Sequence, residues 1–209
     1  MIPMNRRLII SLFFLIPLFI SAQFSEKSKD FEKYEGYFDF FYDSESDKIY
    51  LQVGDLEKEF LYVNSLSSGI GSNDIGLDRG QLGNERVVFF RKAGNKLLLI
   101  QPNLRYRALT ENPLEKKSVE QAFAKSVLYG FPIVETRGDS YIIDLTGFLM
   151  QDAHGVSDRL KQTKQGAYSL DASRSALHLE RTRAFPKNVE FDALLTFKGD
   201  PKGKKIQIV

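Results

Sequence analysis

The chain contains two histidines and no cysteine. Without Cys there are no disulfides, no thiol catalysis and no Cys-based zinc site, so metal or acid–base chemistry must come from His, Asp and Glu. His154 stands in the run Gln151-Asp152-Ala153-His154-Gly155-Val156-Ser157-Asp158. Asp152, His154 and Asp158 are the oxygen and nitrogen donors that a metal such as zinc accepts. One imidazole with spaced carboxylates falls short of the three protein ligands usual in zinc catalysis. Gly155 directly after His154 reads more simply as a turn or helix start, with Asp152 or Asp158 bonding to backbone. His178 alternates with apolar neighbours in Ala176-Leu177-His178-Leu179 and reads as the outward side of a strand. No HExxH helix, no Gly-x-Ser-x-Gly elbow and no phosphate-cradling loop occurs in the sequence.

Residues 67–83 form the second chemical feature, with Gly69, Gly71, Gly76, Gly80 and Gly83 interleaved with Asp74, Asp78 and Arg79. A connection of this length inside a compact domain is uncommon and is usually functional or mobile. Asp74-Ile75-Gly76-Leu77-Asp78 has the flavour of a Ca²⁺ loop, but the EF-hand spacing and its final Glu are missing. The glycines are expected to supply positive φ and close backbone packing. Asp78 and Arg79 are expected either to form an ion pair that pins the loop or, with Gln81, to contact a partner.

Several stretches carry a resemblance. They are Phe60-Leu61-Tyr62-Val63-Asn64-Ser65-Leu66, residues 71–83, Gln101-Pro102-Asn103-Leu104-Arg105-Tyr106-Arg107-Ala108, Asp152-Ala153-His154-Gly155-Val156 and Ser173-Arg174-Ser175-Ala176-Leu177. Together they resemble the N-terminal region of large exported bacterial zinc-dependent metalloproteases, in which a domain of unknown function precedes the catalytic domain. Gly76-Leu77-Asp78-Arg79-Gly80-Gln81-Leu82-Gly83 is the most specific of them. The resemblance implies a downstream catalytic domain whose HExxH helix binds zinc, which polarises the scissile carbonyl and activates water. None of those residues lies in 1–209, so no catalytic residue and no cofactor is carried over to this chain. Zinc is expected only downstream.

The elements that must position these residues are mostly strands. Residues 37–42 and 49–53 form a hairpin around the polar turn 43–48, and 59–66 a third strand. Residues 86–91 and 96–101 pair around Ala93-Gly94-Asn95. Asn112-Pro113 caps and opens a helix to about residue 123, with Val119 and Phe123 on one face. A strand over 127–135, interrupted by Gly130 and Pro132, turns at Gly138-Asp139 into 141–145. Residues 148–160 are a short helix, 168–170 and 176–179 short strands, and 190–197 a stronger one. Residues 204–209 alternate like a strand just starting, which reads as the front part of a longer protein.

Before all of these lies an export signal. Arg6 and Arg7 precede an apolar run over 8–20, and Ser21-Ala22 offers a cleavage site. That run is shorter than the ~20 residues a spanning helix needs. Residues 23–33 are read as a flexible polar segment and 34–209 as a β-rich α+β module. Its antiparallel meander packs as a sandwich or half-barrel, with one or two short helices. Removing 1–22 takes away two basic residues and no acidic one, leaving 27 of each sign. The interspersed charges lack the basic face of a nucleic-acid binder.

The expected function is a non-catalytic accessory or pro-region-like domain of an exported zinc metalloprotease. It would be periplasmic or extracellular and partnered by its own downstream catalytic domain, and through that by a peptide or protein substrate. No nucleic acid is expected, and no membrane after signal cleavage. The alternative is a free-standing exported glycan- or protein-binding module, motivated by an aromatic surplus that includes Tyr37, Tyr50 and Tyr62. A third option is a metal-dependent hydrolase built on Asp152, His154 and Asp158.

Overall fold

The computed structural model describes residue 24 and residues 26–206. The signal segment 1–22 lies outside them, as do residues 207–209 of the expected final strand. The chain is β-rich α+β, built on one eight-stranded antiparallel sheet. Its strands are β1 (Glu32–Tyr34), β2 (Phe40–Asp43), β3 (Lys48–Val53), β4 (Phe60–Tyr62), β5 (Arg86–Ala93), β6 (Lys96–Gln101), β7 (Ser126–Arg137) and β8 (Ser140–Asp144). Their order across the sheet is β1-β2-β3-β8-β7-β6-β5-β4.

Alternation sets the faces. Ile49, Leu51 and Val53 of β3 point to one side, where they join Phe40, Val88, Phe90, Leu97, Leu99, Phe131 and Ile143 in the main core. Tyr50 points to the other side, with Phe41 and Ile142. The sheet is open but bends back on itself. Phe38, just before β2, lies 5.2 Å from Phe60 and 6.0 Å from Phe90 between ring centroids, although four strands separate β2 from β5. The result is a half-barrel around the main core.

β7 allows this curvature by changing partners. Residues 126–132 pair with β6 and residues 133–137 with β8, with register shifts on both sides. Pro132 lies at the switch, where a missing N–H is tolerated. The strand expected to be interrupted there is therefore continuous. Gly94, at φ 61, takes the first of two loop positions between β5 and β6, a conformation that suits glycine.

Other expectations are revised. The segment read as a flexible polar lead, 23–33, ends in edge strand β1, and Phe24 and Phe31 cover the outer face of the sheet. Phe31 stacks on Tyr50 at 5.6 Å and Phe24 meets it edge-on at 4.8 Å. Their two aromatic side chains outweigh the surrounding charge. The strand expected over 59–66 is only β4, followed by an isolated Ser65–Leu82 bridge. Helix α1 (Pro113–Ala122) forms with the Asn112 side chain accepting from Leu114 N, but it buries no residue and so does not cover the sheet. The helix read over 148–160 is two, α2 (Thr146–Leu149) and α3 (Val156–Gln162), because Gly155 takes φ 73 between them. No helix among the described residues is long and apolar enough to cross a membrane.

The remaining strands are small: β9 (Gly166–Leu170), β10 (Ala176–Leu177), β11 (Arg183–Phe185), β12 (Asn188–Glu190), β13 (Ala193–Leu194) and β14 (Phe197–Pro201). They pair as β10–β13, β11–β12 and β14–β9. The strand expected over 190–197 is thus divided among three pairings. Residues 204–206 are bends rather than strand. Leu177, Leu179, Ala184, Val189 and Phe191 close the open side of the half-barrel by packing on the main core.

Candidate functional site: the glycine loop and its supports

Residues 67–83 are a folded loop. A 3₁₀ turn over Asn73–Ile75 ends at Gly76, whose φ of 70 is a left-handed cap. This places Ile75 and Leu77, both buried, against Val156 and Leu160 of α3 in a second core separate from the first. Arg159 of α3 reaches across and donates from Nε to the Ile75 carbonyl. Gly76 is favoured by its φ, and a Cβ there would fall 2.6 Å from the Arg159 guanidinium, which would have to move aside. The ends of the loop are tied by backbone. Leu66 N donates to Gln81 O, Gly80 N to Leu66 O, and Ile70 N to Leu77 O.

The loop residues singled out from sequence fall within this framework. Asp78 and Gln81 form a turn. Gln81 N donates to Asp78 O at 3.1 Å and Asp78 N to Gln81 Oε1 at 3.3 Å. Asp78 and Arg79 do not form the expected ion pair, and Arg79 is exposed with no ion pair among the described residues. An ion pair remote in sequence does reach the loop, with Lys205 Nζ 3.0 Å from Asp74, but both side chains are largely exposed and the pair adds little.

The Asp152, His154 and Asp158 donors diverge. Asp152 accepts from Val156 N at 2.7 Å and Ser157 N at 2.9 Å, one per carboxylate oxygen, satisfying two open donors of α3. His154 turns its Nδ1 to Asn64 Nδ2 at 3.1 Å. Asp158 is exposed in the first turn of α3, where a negative charge suits the helix dipole. Among the described residues no group of three His, Asp or Glu is placed to hold a metal ion. This donor set does not fit a zinc ion, because its carboxylate and imidazole are turned to different partners.

His178 departs from its expected strand position. It precedes the 3₁₀ turn Leu179–Arg181, and its Nδ1 lies 2.9 Å from Asp192 Oδ2. Ser67 Oγ donates to Asp192 Oδ1 at 3.3 Å. A hydroxyl nucleophile needs the imidazole between it and the carboxylate. Here the carboxylate is in the middle, so the three residues cross-link the loop to the segment 178–192 and do not activate Ser67. Asp171 is a similar organiser. The Ser173 hydroxyl foremost, against some burial, and then Arg174 and Lys198 hold its carboxyl below the ordinary range.

Asn64, Arg159 and Asp192 were invisible to sequence reasoning, since their partners lie 90, 84 and 125 residues away. Asp171, with Ser two positions on, carries the local signature of a side chain bonding its own backbone. Three of the five family-like stretches, 60–66, 71–83 and 152–156, meet at this loop and its supports; the fourth, 173–177, bonds to Asp171 and pairs with β13. The fifth, 101–108, lies on the arm that carries α1.

The pattern of a protein family described as a domain of unknown function (DUF5117) matches residues 80–208. No curated protein and no solved structure matches the chain.

Proposed function

The chain belongs to the DUF5117 family of domains of unknown function, and from that premise we propose that it is a non-catalytic accessory module of an exported zinc-dependent metalloprotease precursor. The observation that carries this reading is the use made of the family-like residues. Asp152 caps α3, His154 Nδ1 meets the Asn64 side-chain amide beside the end of the glycine loop, where Gly83 N donates to Asn64 O, and Ser67, His178 and Asp192, outside those stretches, tie the loop to the segment 178–192. Residues used in this way build a shaped surface and leave the chemistry to another domain. In this reading residues 1–22 direct export and are removed after Ala22, and zinc and its HExxH ligands belong to the downstream catalytic domain. The module supports that domain's folding, covers its cleft or shapes access of a peptide or protein substrate.

Two measurements test the proposal. The purified chain, incubated with casein and added Zn²⁺, is expected to leave the substrate intact; chelator-sensitive cleavage overturns it. The gene downstream of codon 209 is expected to encode an HExxH segment, and a stop codon without one removes the protease connection. N-terminal sequencing of the exported protein checks the signal, with an intact Met1 as the contrary result.

A further inference from the structure

Beyond β14 the chain stays against the fold through residue 206. Lys202 N donates to the Gln165 carbonyl at 2.8 Å, and Gly203 N to the same oxygen at 3.2 Å. Lys205 N then donates to Gln165 Oε1 at 3.1 Å. Gln165 is 4% exposed, and its Nε2 donates to the Thr163 carbonyl at 2.8 Å. One buried residue thus grips residues 202–205 by their backbone. The turn that aims it is unusual. Lys164 takes φ 61, a left-handed value for a residue with a Cβ, and Gly166 takes φ 134. Such positions persist only where the surroundings over-determine them, and they concentrate at clamps and switches.

The same segment also meets the glycine loop. Ser72 N donates to the Lys205 carbonyl at 3.0 Å. Gly71, at φ 71, allows that approach, since a Cβ there would lie 2.5 Å from the Lys205 oxygen. Ile206 packs on the second core that holds Ile75 and Leu77. Lys205 is therefore shared, its N–H bonded to Gln165 and its carbonyl to the loop. Gly203 keeps the grip close, because a Cβ there would overlap the Gln165 amide and push Oε1 away from Lys205 N. We propose that residues 202–206 are a strap that locks the glycine loop through Gln165, and that drawing the strap away frees the loop while the main sheet stays folded. The state of the loop is then set by the residues that follow β14, a regulatory contact within the chain. Only the loop's role as the shaped surface is taken from the accessory-module reading, and the casein and gene tests of that reading are separate from the exchange test of the strap.

The test is native-state hydrogen exchange of the full chain, read by NMR. Gly203→Ala should accelerate exchange of the Lys205 and Ser72 amides about tenfold, the scale of a lost hydrogen bond. The Ile70, Ile75 and Gly76 amides, whose partners lie within the loop region, should accelerate by a similar factor. Gln165→Ala should do the same, and Gly203→Ala should add nothing to it, because the overlapping amide is already gone. In the reverse direction, Gly80→Ala strains the loop at a position with open space around its Cβ. It should accelerate exchange at Lys205, since coupling between two sites is reciprocal. The Gln52 and Leu145 amides, bonded to Asp39 O and Ile49 O at the main sheet, should keep their parent rates in every variant. Acceleration confined to Lys205 and Ser72 would mean that the strap lies passively on the loop. An unchanged Lys205 amide in Gly203→Ala or Gly80→Ala, additive effects of Gly203→Ala and Gln165→Ala, or acceleration at Gln52 and Leu145 each overturns the assignment as well.

Discussion

The second core predicts that the glycine loop opens independently of the sheet. Ile75 is fully buried, and Ile75→Ala removes three carbons from a core of four buried residues. At ~0.8 kcal/mol per buried methylene the transfer loss is about 2.4 kcal/mol. The residual cavity adds to this, within the usual range of about 2–5 kcal/mol. If the loop opens locally, that loss lowers its opening free energy directly. Exchange of the Ile70, Ile75 and Gly76 amides, each bonded within the loop region, should then accelerate by at least about 50-fold. Leu97→Ala is the matched control, since Leu97 is equally buried but belongs to the main core. It destabilises the docked and the opened loop alike, so it should lower the melting temperature by roughly 4–20 °C and leave loop exchange within about threefold. Hydrogen exchange read by NMR measures both. If Leu97→Ala accelerates loop exchange as strongly as Ile75→Ala, the loop opens only with global unfolding and the separation into two cores is wrong.

Three further outcomes follow from named residues. Gly76→Ala should cost about 2–4 kcal/mol by urea denaturation, combining left-handed strain with loss of the Arg159 hydrogen bond; Gly80→Ala, at φ 80 but with open space around its Cβ, should cost only about 1–2 kcal/mol. Asp152→Ala should cost about 0.5–2 kcal/mol, as other lost caps do, and leave zinc content unchanged; loss of bound zinc would revive the hydrolase reading. Burial raises the Asp43 pKa, but the Ser46 hydroxyl and the Glu45 and Ser46 amides outweigh it and hold the carboxyl below its ordinary 3.8. A depressed folded value means that its contribution is present above the ordinary value and is lost as pH falls through the folded one. Asp43→Asn should therefore flatten the acid limb of a urea-midpoint profile, and an unchanged limb would contradict the assignment.

Local signals carried far in this sequence. The β2–β3 and β5–β6 hairpins were legible because their turns and alternation lie close together in the sequence. The Asn112-Pro113 start of α1 was legible for the same reason. What failed depended on distant partners. Residues 190–197 have good strand composition, yet β12, β13 and β14 pair with three different strands. Pro132 looked like an interruption because the change of partner along β7 cannot be seen from β7 alone. The glycine loop was recognisable as special from its length, but its contacts with Arg159, Asp192 and Lys205 come from far along the chain.

The match to the family begins at residue 80, but the physical unit does not. Phe40, Ile49, Leu51 and Val53, all before residue 80, fill the same core as Leu97, Leu99, Phe131 and Ile143. β8 has β3 as one of its two neighbours, so a segment starting at 80 would leave that edge unpaired and one wall of the half-barrel missing. The second core is divided in the same way, with Ile75 and Leu77 on one side of the boundary and Val156 and Leu160 on the other. Main-core and loop substitutions before residue 80 therefore act on residues within the matched segment. Whatever surface that segment presents is held in shape by strands and a loop that lie before it in the sequence.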